Sequence, residues 1–214
     1  MSLTDMSFPD ATHARLRAAV LASLPCQAVP VQLALGALLS AAYEPRHTLI
    51  ACAFDDGEPC LHVGAALDLV HIGLQRLHAR LDDPDSDAAL LGNAGNVLAG
   101  DYLTSGSFKM LLHCKDMRVL QMVADAITRT CELECEAHGQ ARGPALARPL
   151  GEVAGRAGAL LAGHDAATQD LARAFGAALA SGDAAAALLA AQALQQATGN
   201  GRPLELAQRL GAAA

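Results

Sequence analysis

The sequence predicts an all-α protein, a single helical bundle over residues 1–214. Three observations carry that expectation. Hydrophobic residues make up 52% of the chain while aromatics make up only 3%, with no Trp; Ala and Leu dominate, and both lose little side-chain freedom in a helix. Apolar residues recur at helical spacing, as in Leu16, Val20 and Leu24. Proline, glycine and short acidic clusters punctuate the chain at intervals that suit helices rather than strands.

Taken in order, ATHARLRAAVLASL after Pro9 and Asp10 reads as a surface helix with one apolar stripe, ended by Pro25. Pro30 opens the next element, and 31–43 is apolar nearly all round, as a buried or interface helix would be. Glu44 and Pro45 break it. A short helix over 47–54 precedes the acidic turn DDGEP. Residues 60–81 and 87–112 form the central pair, separated by DDPDSD, where Pro84 stops one helix and Asp85, Ser86 or Asp87 can cap the next. In the second half, Ala99, Gly100, Ser105 and Gly106 are small enough to admit another helix closely. A long helix follows over 115–138, then the loop GQARGPALARP, then an Ala-rich tail with a break near Ser181 and Gly182 and a last short helix after TGNGRP.

Bulk properties exclude several classes of function. A net charge of −7, with no basic stripe, argues against a nucleic-acid partner. No run approaches the ~18 uninterrupted apolar residues of a membrane span, and the start lacks the basic and apolar regions of a secretory signal. A cytoplasmic location is expected, and the six cysteines are expected to be free thiols.

Four strings, ALDLVHIG (66–73), NVLAGDYL (96–103) with Phe108, GALLAG (158–163) and Ala174-Phe175-Gly176, stand in an order that resembles the trans-isoprenyl diphosphate synthase, or polyprenyl synthetase, family. The resemblance runs from about Val31 to the C-terminus. It implies a shortened version of that family's helical bundle, one that pairs through its helices. In the family, aspartates on successive turns hold Mg²⁺ ions that neutralise a departing pyrophosphate. Counting from His71, the first aspartate motif falls on His78, Ala79 and Asp82; counting from Phe175, the second falls on Ala187, Leu188 and Ala191, or one turn earlier on Asp183 and Ala184. Arg46 in YEPRHTL stands as a remnant of the diphosphate grip, and Leu146 and Ala147 take the place of a Lys-Thr pair.

With both metal motifs incomplete, the resemblance implies a non-catalytic protein: a regulatory or partner subunit, or a scaffold, in isoprenoid biosynthesis. Its expected partner is a second copy or a catalytic prenyl diphosphate synthase, docked through Leu98, Tyr102, Ser105 and Phe108, with no cofactor required. One alternative is a prenyl- or diphosphate-processing enzyme with a relocated acidic Mg²⁺ site, drawing on His78, Asp82, Asp83 and Asp101. Another is a bundle that holds an isoprenoid-like apolar ligand or a metal. Cys131, Cys135 and His138 lie on one helical face and could take Zn²⁺; burial in the core or at a subunit interface competes with that reading, because free cysteine is commonly buried. For DDPDSD, a solvated, capped turn competes with the metal site.

Overall fold

The computed structural model describes residues 8–25, 28–40, 43–77, 92–137 and 144–211, and these are helical with no strand among them. Ten α-helices follow in order: α1 (Phe8–Ser23), α2 (Val29–Leu39), α3 (Arg46–Cys52), α4 (Glu58–His71), α5 (Gly92–Leu111), α6 (Met117–Glu136), α7 (Arg148–Leu161), α8 (Ala166–Ala180), α9 (Ala184–Thr198) and α10 (Arg202–Gly211). A π-helical segment, Ile72–Leu77, prolongs α4, and 3₁₀ turns at Leu112–Cys114 and Pro144–Ala147 flank α6. None of the described helices is long and apolar enough to cross a membrane.

α4 is the axis. Every residue from Cys60 to Val70 is buried, and α1, α3, α5 and α7 pack around it. The expected central pair forms between α4 with its π extension and α5, and its closeness comes from glycine on both sides. A Cβ on Gly73 would lie 2.9 Å from the carbonyl oxygen of Gly100. Gly106 performs the same service for Leu24, whose side chain comes within 2.8 Å of where a Cβ would be. Ser105, also read as a close-approach residue, instead faces out.

The tightest pair is one the sequence did not single out. α7 and α8 run against each other backbone to backbone, so that a Cβ on Gly155 would lie 1.9 Å from the Ala172 carbonyl oxygen and one on Gly176 would lie 2.0 Å from that of Gly151. Two similar turns then fold the Ala-rich tail back on itself. Gly163 and Gly182 adopt φ of +80° and +76°, the left-handed conformation that ends a helix and that glycine adopts without a Cβ clash. Asp165 and Asp183 follow, accepting from the Thr168 and Ala186 N–H groups to cap α8 and α9. The expected break near Ser181 is therefore a full reversal between two helices.

Candidate functional site

Asp68 organises the polar interior. Its side chain is fully buried at the N-terminus of α3, whose N-cap residue, Pro45, has no side-chain acceptor to offer. Asp68 supplies the missing acceptor from the neighbouring helix. One carboxylate oxygen accepts from the Tyr43 hydroxyl at 3.2 Å, the His47 N–H at 3.3 Å and His47 Nδ1 at 2.8 Å. The other accepts from the Thr48 N–H at 3.0 Å and its hydroxyl at 2.6 Å. Burial works against the charge, but the bonds from His47 and Thr48 outweigh it and hold the carboxyl below its usual range.

With the carboxylate ionised, His47 donates to it through Nδ1, and the ring's other nitrogen is Nε2. That nitrogen is buried and has no hydrogen-bond partner among the described residues. The His71 ring lies 5.3 Å away, centroid to centroid. Together with Tyr43, Glu44, Arg46, Ala147 and Ala180, the two histidines line a cavity of about 290 Å³. Arg46 is partly committed elsewhere, since Nη1 donates to the last carbonyls of α8, Leu179 and Ala180, at 3.4 Å each. A guanidinium there also complements the negative end of that helix.

The positions counted for the second aspartate motif, 187, 188 and 191, hold Ala, Leu and Ala on α9. Ala187 and Ala191 are fully buried in α9, and Leu188 packs against the core. Asp183, the acid one turn earlier, is engaged as the α9 cap at 3.0 Å from the Ala186 N–H. His78, Asp82 and Asp83, the first-motif candidates, lie outside the described residues, as does His138.

Cys131 and Cys135 are both exposed, which corrects the core reading for this pair. The reason is the register of α6. Its buried stripe is Val119, Val123, Ala126 and Thr130, and the two cysteines fall on the wet side beside Glu132 and Glu136. Among the described residues no three His, Cys, Asp or Glu side chains group closely enough to hold a metal ion. Among the described residues the buried thiols are Cys52, Cys60 and Cys114. Burial raises the pKa of each, to about 12 for Cys52 and about 11 for Cys114, so they are inert packing groups.

α5 presents the other feature of note. Leu98 is 69% exposed and Phe108 41% exposed, and Leu112, just past the helix, is 75% exposed. Tyr102, half-buried with its hydroxyl 3.4 Å from the Pro25 carbonyl oxygen, and Ser105 lie between them on the same face. Asp101 is exposed on that face too, away from the buried polar cluster. Sequence reasoning found this stripe but missed His47, whose partner Asp68 is distant in sequence. The signal for it was a histidine beside Arg46 at the start of a short helix preceded by proline.

No protein-family model matches the sequence, and no curated protein sequence matches it. Solved structures do. A putative farnesyl-diphosphate synthase from a Marinomonas species superposes with a TM-score of 0.73 at 16% identity, over 99% of this chain and 99% of that one. A polyprenyl synthase from Caulobacter crescentus, complexed with calcium and isoprenyl diphosphate, gives 0.69 at 20% identity, over 95% of this chain and 83% of that one. A decaprenyl diphosphate synthase from Rhodobacter capsulatus gives 0.68 at 20% identity, over 84% of this chain; this chain spans only 63% of its length.

Proposed function

We propose that this chain, which has the fold of the polyprenyl diphosphate synthases, acts as a non-catalytic partner subunit in isoprenoid biosynthesis. The observation that carries the reading is the apolar stripe of α5, with Leu98, Phe108 and Leu112 directed outward from a helix whose other face is fully packed. Apolar side chains aligned in this way favour association with another apolar surface. The occupant is a chain of the same fold, either a second copy or an active synthase. The apolar filling of positions 187, 188 and 191 supports the non-catalytic half of the proposal, because ionising an allylic diphosphate needs charge stabilisation that those residues cannot give.

The mass of the purified chain in solution, and of the chain expressed with a full-length prenyl synthase from the same cell, tests the association. The expected result is a dimer or a mixed complex that Leu98→Glu with Leu112→Glu dissociates, leaving thermal unfolding of the remaining monomer cooperative. A chain that is monomeric alone and ignores the synthase would sink the subunit reading. Turnover of isopentenyl diphosphate with an allylic diphosphate and Mg²⁺ by the chain alone would instead favour the enzyme reading, with the first acidic cluster as its metal site.

A further inference from the structure

Cys131 and Cys135 differ from the other described cysteines in being exposed, although free cysteine is among the residues most often buried. They sit four residues apart on α6, whose register is fixed by the buried stripe Val119, Val123, Ala126 and Thr130. Side chains at that spacing project from consecutive turns of one face, with Cβ atoms about 5–6 Å apart. A disulfide needs Cβ atoms about 3.5–4.5 Å apart, so the two thiols cannot join each other while the helix stays regular. Within one chain the pair stays a dithiol.

The basic side chain closest to the pair in sequence is engaged elsewhere. Arg129 donates from Nη1 to Glu132 at 2.9 Å and lies 3.6 Å from Glu136. Desolvation, followed by the negative charges of Cys135 and Glu134, pushes the Cys131 thiol above its ordinary value. A thiol held protonated is a poor nucleophile and a poor redox sensor. A metal ion reverses that state, because it binds the thiolate and displaces the proton. Which ion fits follows from the donor count. Zn²⁺ takes four ligands in a structural site, and among the described residues no third His, Cys, Asp or Glu joins the pair. A soft monovalent ion set in line between two sulfurs needs no more than two. Metal–sulfur bonds of about 2.3 Å span about 4.6 Å end to end, a separation that sulfurs on Cβ atoms about 5–6 Å apart reach by rotation about χ1. Thiolate ligands select copper in its monovalent state.

We propose that Cys131 and Cys135 form a binding site for a single copper(I) ion, held in line between their two thiolate sulfurs on the solvent face of α6. Two S–H bonds break, two S–Cu bonds form and two protons leave to solvent. Copper stays monovalent throughout, so the step needs no oxidant or reductant. The site uses neither the α5 stripe nor the His47 cavity, and it does not depend on the partner-subunit reading.

Anaerobic titration of the full chain with Cu(I), in competition with bicinchoninate and with ascorbate keeping the copper reduced, tests the site. One ion per chain is expected, and native mass spectrometry should show it in place of two protons on a chain of unchanged oligomeric state. Cys131→Ser combined with Cys135→Ser, which leaves every other cysteine in place, should abolish that binding. A third variant keeps two exposed thiols but breaks their alignment: Cys135→Ser with Glu136→Cys sets the second sulfur five residues from the first, off its face of the helix. Its affinity should fall at least about a hundredfold, because the second thiolate no longer acts within the same site. All the substitutions lie on the exposed side of α6, so thermal unfolding of the metal-free variants should match that of the parent chain. Copper retained by the double serine variant, equal affinity in the misaligned variant, an ion shared between two chains, or stoichiometric Zn²⁺ bound in preference to Cu(I) would each overturn the proposal.

Discussion

Asp68 at the α3–α4 junction and Asp183 at the α8–α9 turn perform the same task, accepting from backbone N–H groups at a helix N-terminus, yet their settings are opposite. Asp68 is buried, works across 20 residues of sequence and gathers side-chain donors from Tyr43, His47 and Thr48 as well. Asp183 is exposed and caps only the helix it begins. Further along α9 the contrast continues, since positions 187 and 191 hold buried alanine. A carboxylate at either position would be buried without a backbone N–H group to accept from.

The most severe test places a carboxylate where the comparison says none belongs. Ala187→Asp puts a charge at a fully buried position with no cation nearby on its own helix, and is expected to cost about 4 kcal/mol of unfolding free energy, read by urea denaturation. A cost under about 1 kcal/mol would mean that this face of α9 admits water and could host a ligand set after all, which would dissolve the contrast.

Asp68→Asn examines the other region. It preserves shape but turns one accepting oxygen into a donor among groups that already donate, so about 3 kcal/mol should be lost at neutral pH. The pH dependence gives the sign. The folded carboxyl titrates lower than the unfolded one, so its contribution is complete above about pH 4, the unfolded value, and disappears as pH falls through the lower folded value. The gap between wild type and variant should therefore stay constant from pH 7 down to about 4 and narrow below that. A gap that persisted undiminished in strong acid would show that Asp68 is held by shape rather than charge.

How much of this was legible follows from the range of each interaction. The all-α bundle, the proline and glycine stops and the outward stripe of α5 are local or periodic, and Leu98, Tyr102, Ser105 and Phe108 fell on one face as their spacing required. The Asp68 cluster was half visible: Asp68 and His71 could be singled out as a motif, but His47 and Thr48 arrive from another helix, and pairings across elements leave no period in the sequence. The α7–α8 weld was hidden for a related reason. Gly151, Gly155 and Gly176 look like helix-weakening residues until the facing backbone explains them. On the cysteine face of α6 the core reading alone is overturned, because a tendency toward burial averaged over proteins gave way to a register set by Val119 and Val123.

The smallest effect sharpens the comparison at its weaker side. Asp183→Ala removes one exposed cap and should cost about 1 kcal/mol, a fraction of the loss at Asp68, because water can replace the lost acceptor at Ala186 whereas nothing can replace it at buried Thr48. The turn itself should survive the substitution. The Gly182 N–H still bonds the Leu179 carbonyl and the backbone N–H at 183 still reaches Ala178, and neither bond uses the aspartate side chain. Gly182→Ala attacks that backbone instead, forcing a Cβ into φ of +76° at a cost of roughly 1–2 kcal/mol. If the two substitutions are independent, their costs add within about 0.5 kcal/mol in thermal or urea unfolding. A combined loss well beyond the sum would show that cap and turn form one cooperative unit, and that the reversal which seats Ala187 in the core is held more firmly than either residue reveals alone.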